Sequence, residues 1–219
     1  MRALVDLILP RECGGCGAVG TDWCDRCRAE LSGDPVRLAP RLDPGVPAWA
    51  LGRYTGPRRS AVVAAKERGR RDLARPLGLA LAGALGRLRE LGEIDPPELA
   101  GLALVPAPTR ARAARVRGGD PVTRAALAAV SALSPEPVVV LPILKLARGV
   151  RDSVGLSARA RVENLSGRIV VAPGARTGRS ACVVLVDDVL TTGATAAESV
   201  RVLAGSGVRV DAVLVIGAA

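Results

Sequence analysis

Two groups of residues in this chain have types and spacings that chemistry can use. The first is Cys13, Cys16, Cys24 and Cys27, two Cys-x-x-Cys pairs separated by seven residues. Each pair can offer two thiolates from one tight turn, and four thiolates complete the tetrahedral shell of a closed structural zinc site. Gly14, Gly15 and Gly17 are expected to supply the positive φ values that such turns use. A module of about 30 residues has almost no hydrophobic core, so a bound metal would provide much of its folding free energy. A disulfide pair is disfavoured if the chain is cytosolic, and a redox pair is disfavoured by the presence of two linked copies. The module is nearly neutral, which suits a structural or protein-docking role at least as well as nucleic-acid binding. Cys182, inside an apolar run, reads as ordinary core.

The second group is the run ACVVLVDDVLTTGATAAES, residues 181–199. It reads as a buried strand, two adjacent carboxylates (Asp187, Asp188), and then Thr191, Thr192, Gly193, Ala194 and Thr195 opening a helix. Ligands in open parallel sheets lie at the carboxyl ends of strands, and a helix N-terminus presents free N–H groups to a phosphate. Gly193 would let backbone approach the phosphate, and the three threonine hydroxyls can donate further hydrogen bonds. Adjacent carboxylates at a strand end repel and lose solvation. The hydroxyls of a ribose diol would satisfy them, with a nearby magnesium ion offsetting their charge. A helix cap alone would explain neither both aspartates nor the glycine. The chain has no Walker A loop, because it contains no Gly-Lys-Ser/Thr.

Composition narrows the chemistry further. The 219 residues contain no histidine, which excludes a His general base, a Ser-His-Asp triad and any His metal ligand. Phenylalanine is also absent, and Trp23, Trp49 and Tyr54 are the only aromatic residues, so a platform for stacking successive bases is not expected. All but two of the 31 basic residues are arginine. Residues 1–50 carry six basic and seven acidic side chains, residues 180–219 two and four, and residues 51–179 twenty-three and ten. The positive excess therefore lies in the middle, where it suits an anionic ligand such as a polyphosphate or a nucleic-acid backbone.

The elements that must position these groups alternate. A cysteine module, residues 1–32, is followed by a Pro-rich linker near 33–47, which sets expected units of 1–47 and 48–219. A strand is expected over 48–54, helices over 58–67 and 72–91, and a strand over 102–106. Further on come a helix over 121–133, a strand over 137–144, a helical stretch over 156–165 and a short strand over 168–171. The strand 182–188, the helix 195–203 and a last strand over 210–217 complete the order. Strands alternating with helices predict an α/β fold with a mostly parallel sheet flanked by helices. The opening run is broken by Asp6 and Pro10, so no signal peptide is read, and no stretch approaches the roughly 20 apolar residues that span a bilayer. No membrane insertion and a cytoplasmic location are expected.

The segment LVDDVLTTGAT resembles the 5-phosphoribosyl pyrophosphate (PRPP) signature of type I phosphoribosyltransferases. Together with the four-Cys module, KERGRRDLARPLG (66–78), LVPAPTRARAARVRGGDP (104–121) and GLSARARVEN (155–164), it resembles the ComF family over essentially the whole chain. The resemblance implies a type I phosphoribosyltransferase-like fold with a small N-terminal zinc ribbon. It implies that Ala107, Pro108, Thr109 and Arg110 cradle pyrophosphate, that Arg117 assists, and that residues 148–163 form a loop closing over the site. Lys66, Arg68 and Lys145 are further candidate phosphate contacts. Two departures bear on the second substrate: Arg117-Gly118-Gly119-Asp120-Pro121 stands where the family usually has Arg-Gly-Phe-Asn-Gln, and Val154 replaces the usual Gln. Both remove amide side chains. The expected activity is transfer of phosphoribosyl from PRPP, with Mg²⁺, to a nitrogen nucleophile. The alternative is a non-catalytic accessory protein for DNA uptake that binds PRPP, a nucleotide or single-stranded DNA and docks a helicase-like partner.

Overall fold

The computed structural model describes residues 11–109, 119–147, 167–173 and 181–219. Strand β1 (Val36–Leu38) pairs antiparallel with β2 (Ala48–Ala50), and β2 lies parallel to β8 (Ala212–Ala218). Strand β7 (Ala181–Leu190) runs parallel to β8 on one side and to β3 (Gly101–Pro106) on the other, and β3 runs parallel to β4 (Val138–Val140). The six-stranded order is β1-β2-β8-β7-β3-β4, all parallel except β1. A separate antiparallel pair joins β5 (Leu144–Leu146) to β6 (Ile169–Val171).

Alternation along the strands divides the core into two layers. Cys182, Val184 and Val186 of β7 face helices α2 (Gly56–Glu67), α3 (Ala74–Glu90) and α4 (Pro121–Leu133). Val183 and Leu185 face α5 (Ala194–Gly205) and the β5–β6 pair. β7 up to Val186 and β8 up to Gly217 are buried on both faces, which is why both read as apolar runs, broken in β7 only by Asp187 and Asp188. Helix α4 begins where Asp120 accepts a hydrogen bond from the Thr123 N–H at 2.7 Å and Pro121 presets the first turn.

Two differences from the sequence reading have physical causes. The segment 33–47 contains a strand, β1, on the sheet edge, with Pro35 and Pro40 flanking it outside the ladder. The run 137–144 divides between β4 and β5, separated by the turn that contains Pro142. The four-Cys segment also packs on the rest: Leu31, from the short helix α1 (Asp25–Leu31), belongs to the main core, and Trp23 lies against it. Among the described residues, no helix is long and apolar enough to cross a membrane. The expected helix 156–165 lies outside the described residues.

Candidate functional site

The carboxyl end of β7 gathers the charged chemistry. Asp188 is 6% exposed, and its Oδ2 lies 2.7 Å from Nζ of Lys66, which reaches in from the last turn of α2. A carboxylate this deep needs a compensating charge, and Lys66 supplies it. Burial opposes the charge on Lys66, but Asp188 and Asp187 outweigh it and hold its pKa above the ordinary value. Asp187 precedes it on the strand, and strand alternation sends the two side chains to opposite faces. The Asp187 Oδ1 accepts a hydrogen bond from the Asp188 N–H at 2.8 Å. Burial, followed by the neighbouring Asp188 charge, pushes the Asp187 carboxyl up to about 8, against the pull of Lys66.

Tyr54 completes this corner. Its N–H donates to the Ala218 carbonyl at 2.7 Å, and Gly217 leaves room for it, since a Cβ there would stand 2.9 Å from its ring. Burial and then Asp188 raise the pKa of its phenol. Sequence reasoning did not place Tyr54 here, because nothing local to it signals the contact.

Beyond the acids the chain turns through Thr191 and Thr192 into α5, with Gly193 at the N-cap in a left-handed conformation, φ +89°. The Ala194 N–H bonds back to the Thr192 Oγ1 at 3.3 Å. Thr191 is exposed, and Thr192 and Thr195 are half-buried. Gly193 serves a purpose that the motif does not announce. A Cβ on it would stand 2.3 Å from the Leu42 carbonyl oxygen and 3.0 Å from the Pro40 Cβ, and the Leu42 N–H donates to the Thr192 carbonyl at 2.9 Å. Residues 40–42 are thus strapped across the turn. On the other side, the Ala107 N–H bonds to the Val186 carbonyl at 2.8 Å, which places the start of the 107–109 turn beside the acids. Arg110, Arg117 and the loop 148–163 lie outside the described residues. Arg68 and Lys145 are exposed.

The second constellation is the cysteine cluster. The Sγ atoms of Cys13, Cys16, Cys24 and Cys27 all lie within 4.8 Å of one another, with Cys13 to Cys27 at 3.7 Å and Cys16 to Cys24 at 3.6 Å. A tetrahedral zinc ion bonded to sulfur at about 2.3 Å sets neighbouring sulfurs about 3.8 Å apart, so the donor set and its spacing are compatible with zinc. The five cysteines are all free thiols. The N–H of Ala18, with the Arg26 guanidinium, lowers Cys16 to about 6, whereas burial, with the crowding thiols, raises Cys27. Burial raises Cys182 to about 11, as expected of a core thiol.

The glycines of the cluster act differently from expectation. Only Gly17, φ +78°, needs a positive φ in the first turn. Gly14 and Gly15 are there for space: a Cβ on Gly14 would lie 2.5 Å from a Leu73 methyl, and one on Gly15 would lie 2.7 Å from the Cys27 sulfur.

A cavity of about 970 Å³ opens at the opposite edge of the sheet, lined by Cys182, Val210, Asp211, Ile94, Asp95 and neighbours. In a parallel sheet that is the amino end of the strands, away from the chemistry-bearing residues. No protein-family model and no curated protein matches the chain.

Proposed function

We propose that the chain has a type I phosphoribosyltransferase-like fold and binds PRPP with Mg²⁺ at the carboxyl end of β7, transferring its phosphoribosyl group to a nitrogen nucleophile. The observation that carries this reading is the juxtaposition of the buried Asp188, paired with the half-buried Lys66, and the adjacent Asp187 with a Thr-Thr-Gly turn opening a helix. The turn offers hydroxyls and helix N–H groups to the 5′-phosphate. Asp187 and Asp188 would accept from the ribose hydroxyls.

Two carboxylates and no histidine fit an oxygen-seeking ion such as Mg²⁺, which is commonly held by one or two carboxylates together with substrate phosphates. When bound, it would neutralise the pyrophosphate leaving group. In the transfer, the nitrogen lone pair forms a bond to C1′ as the bond from C1′ to the pyrophosphate oxygen breaks. The pyrophosphate departs with the electron pair, and the nitrogen then loses a proton to solvent. Little acid-base chemistry is required of the protein, in keeping with a chain without histidine. Its residues would orient the ribose and stabilise developing charge. The four cysteines would hold a structural zinc ion.

Isothermal calorimetry with PRPP and Mg²⁺ tests the pocket, and pyrophosphate release across a panel of nucleobases, ammonia and small amines tests transfer. Binding without release for any acceptor would favour the non-catalytic reading, an accessory protein for DNA uptake that docks a helicase-like partner. Binding of single-stranded DNA that does not weaken with salt would exclude contacts from the basic middle to its phosphates.

A further inference from the structure

We propose that Arg70 is a positioning residue through which the four-cysteine module holds Lys66 against Asp188. The Arg70 Nη1 donates to the Glu12 carbonyl at 3.0 Å, and its Nη2 donates to the Asp22 carbonyl at 3.4 Å. Glu12 immediately precedes Cys13, and Asp22 lies two residues before Cys24. One guanidinium therefore takes a carbonyl from each cysteine pair. The Asp72 carboxylate fixes the plane of the fork, accepting from Nε at 2.9 Å and Nη2 at 2.6 Å.

The backbone of the same residue closes α2. The N–H groups of Arg68 and Arg70 both donate to the Ala64 carbonyl, at 3.2 and 3.1 Å, with Gly69 at φ +65° making the turn. Lys66 sits inside that closed turn, and its Nζ meets Asp188. At the start of α2, Arg58 bonds the Leu51 carbonyl at 3.1 Å and also Oε1 and the carbonyl of Glu30, from the module's helix. The module thus grips α2 at both ends, and Gly14 lies flush on Leu73, three residues past Arg70.

The causal order follows from what each part lacks. Two cysteine turns with almost no core between them stay together only while their sulfurs share a ligand. If they separate, the Glu12 and Asp22 carbonyls no longer converge on one fork, because a planar guanidinium serves two acceptors only in a fixed geometry. The last turn of α2 is then free to fray, and Lys66 loses its fixed approach to a buried carboxylate. Filling of the thiolate site and organisation of the acid pair are linked through this one side chain. The link itself is independent of the PRPP assignment, and only its effect on PRPP affinity rests on the function proposed above.

Lys66 and Lys145 are the only lysines in the chain, so amine acylation read by mass spectrometry on the full-length, zinc-loaded protein reports the pair directly, with exposed Lys145 as internal reference. Wild type should acylate Lys66 at least tenfold more slowly than Lys145, and Asp188→Asn should remove that protection. Arg70→Ala, with its zinc content measured as retained, should speed Lys66 acylation at least fivefold. Arg70→Lys, which keeps the charge without the fork, should restore little of the protection. Chelating zinc from wild type should reproduce the Arg70→Ala rate and should add little to Arg70→Ala itself. Should Arg70→Ala fail to fold, the chelation arm in wild type decides alone. Lys66 protection that survives both zinc removal and Arg70→Ala overturns the proposal. Absence of PRPP binding by wild type would instead overturn the function and leave the lysine result standing.

Discussion

Four thiols crowd together in the N-terminal module, and two carboxylates crowd together at the end of β7, but the two clusters are stabilised in different ways. The thiols have one nearby cation, Arg26 beside Cys16, and little core behind them, and their spacing, with Cys13 and Cys27 at 3.7 Å, is compatible with an ion that all four would share. The acids stand on a strand buried on both faces, and one of them already has its cation in Lys66. The first arrangement is expected to depend on its ligand in order to exist, and the second to exist before its ligand arrives. A preformed site loses less conformational entropy on binding.

The largest effect expected from breaking this contrast is at the thiols. Cys27→Ser should reduce metal content from about one zinc per chain to well under half, measured by mass spectrometry of the metal. The module's amides should then exchange freely, because structural zinc sites of this kind contribute about 10 kcal/mol or more to apparent folding free energy in small modules. The same experiment breaks the comparison if the module stays ordered without metal.

The next effect is at Lys66. Lys66→Met leaves Asp188 buried without its partner, and denaturant unfolding should show a loss of about 2–3 kcal/mol, below the full cost of breaking a buried pair because Lys66 partly reaches solvent. Adding Asp188→Asn should recover most of that loss. If the double variant is no more stable than the single one, the carboxylate was not the source of the cost.

Gly193→Ala should cost about 1–3 kcal/mol, since a Cβ at φ +89° would also collide with the Leu42 carbonyl. Shortening the strap at 40–42 should soften that penalty, and an unchanged penalty would assign it to the backbone angle alone.

A further effect concerns pH. The Asp187 carboxyl is raised from 3.8 to about 8 in the folded protein, so between these values the folded state holds a proton that the unfolded state releases. Stability from this group is therefore lost as pH rises from about 4 to 8 and levels off above. Melting temperatures of the ligand-free protein should fall across that window, and Asp187→Asn should flatten the trend. A wild-type trend that matches the variant would show that burial does not raise this carboxyl.

How far these regions could be read in advance depended on how local they are. The strand, acid pair, turn and helix of 181–205 are contiguous, and each has a periodicity or residue preference of its own, so their order was legible. The cysteine spacing was equally local. Sequence type marks Lys66 as a cation for a phosphate, yet its partner in the fold is a carboxylate far away in sequence, a contact that only the packing of α2 against β7 creates. The strap at 40–42 was invisible for the converse reason: Pro-rich sequence signals the absence of helix, and carries no sign that the segment will lie across Gly193. Arg70 was one arginine among many, and only its convergence on Glu12 and Asp22 sets it apart.

The proposed PRPP pocket is the end of β7 with the turn after it. Isothermal calorimetry of the zinc-loaded protein with PRPP and Mg²⁺ tests it most directly. Micromolar-range binding by wild type, lost when Asp187→Asn and Asp188→Asn are combined in a variant that still melts cooperatively, is the expected result. Equal affinity in the two proteins, or no heat of binding in wild type, would contradict it.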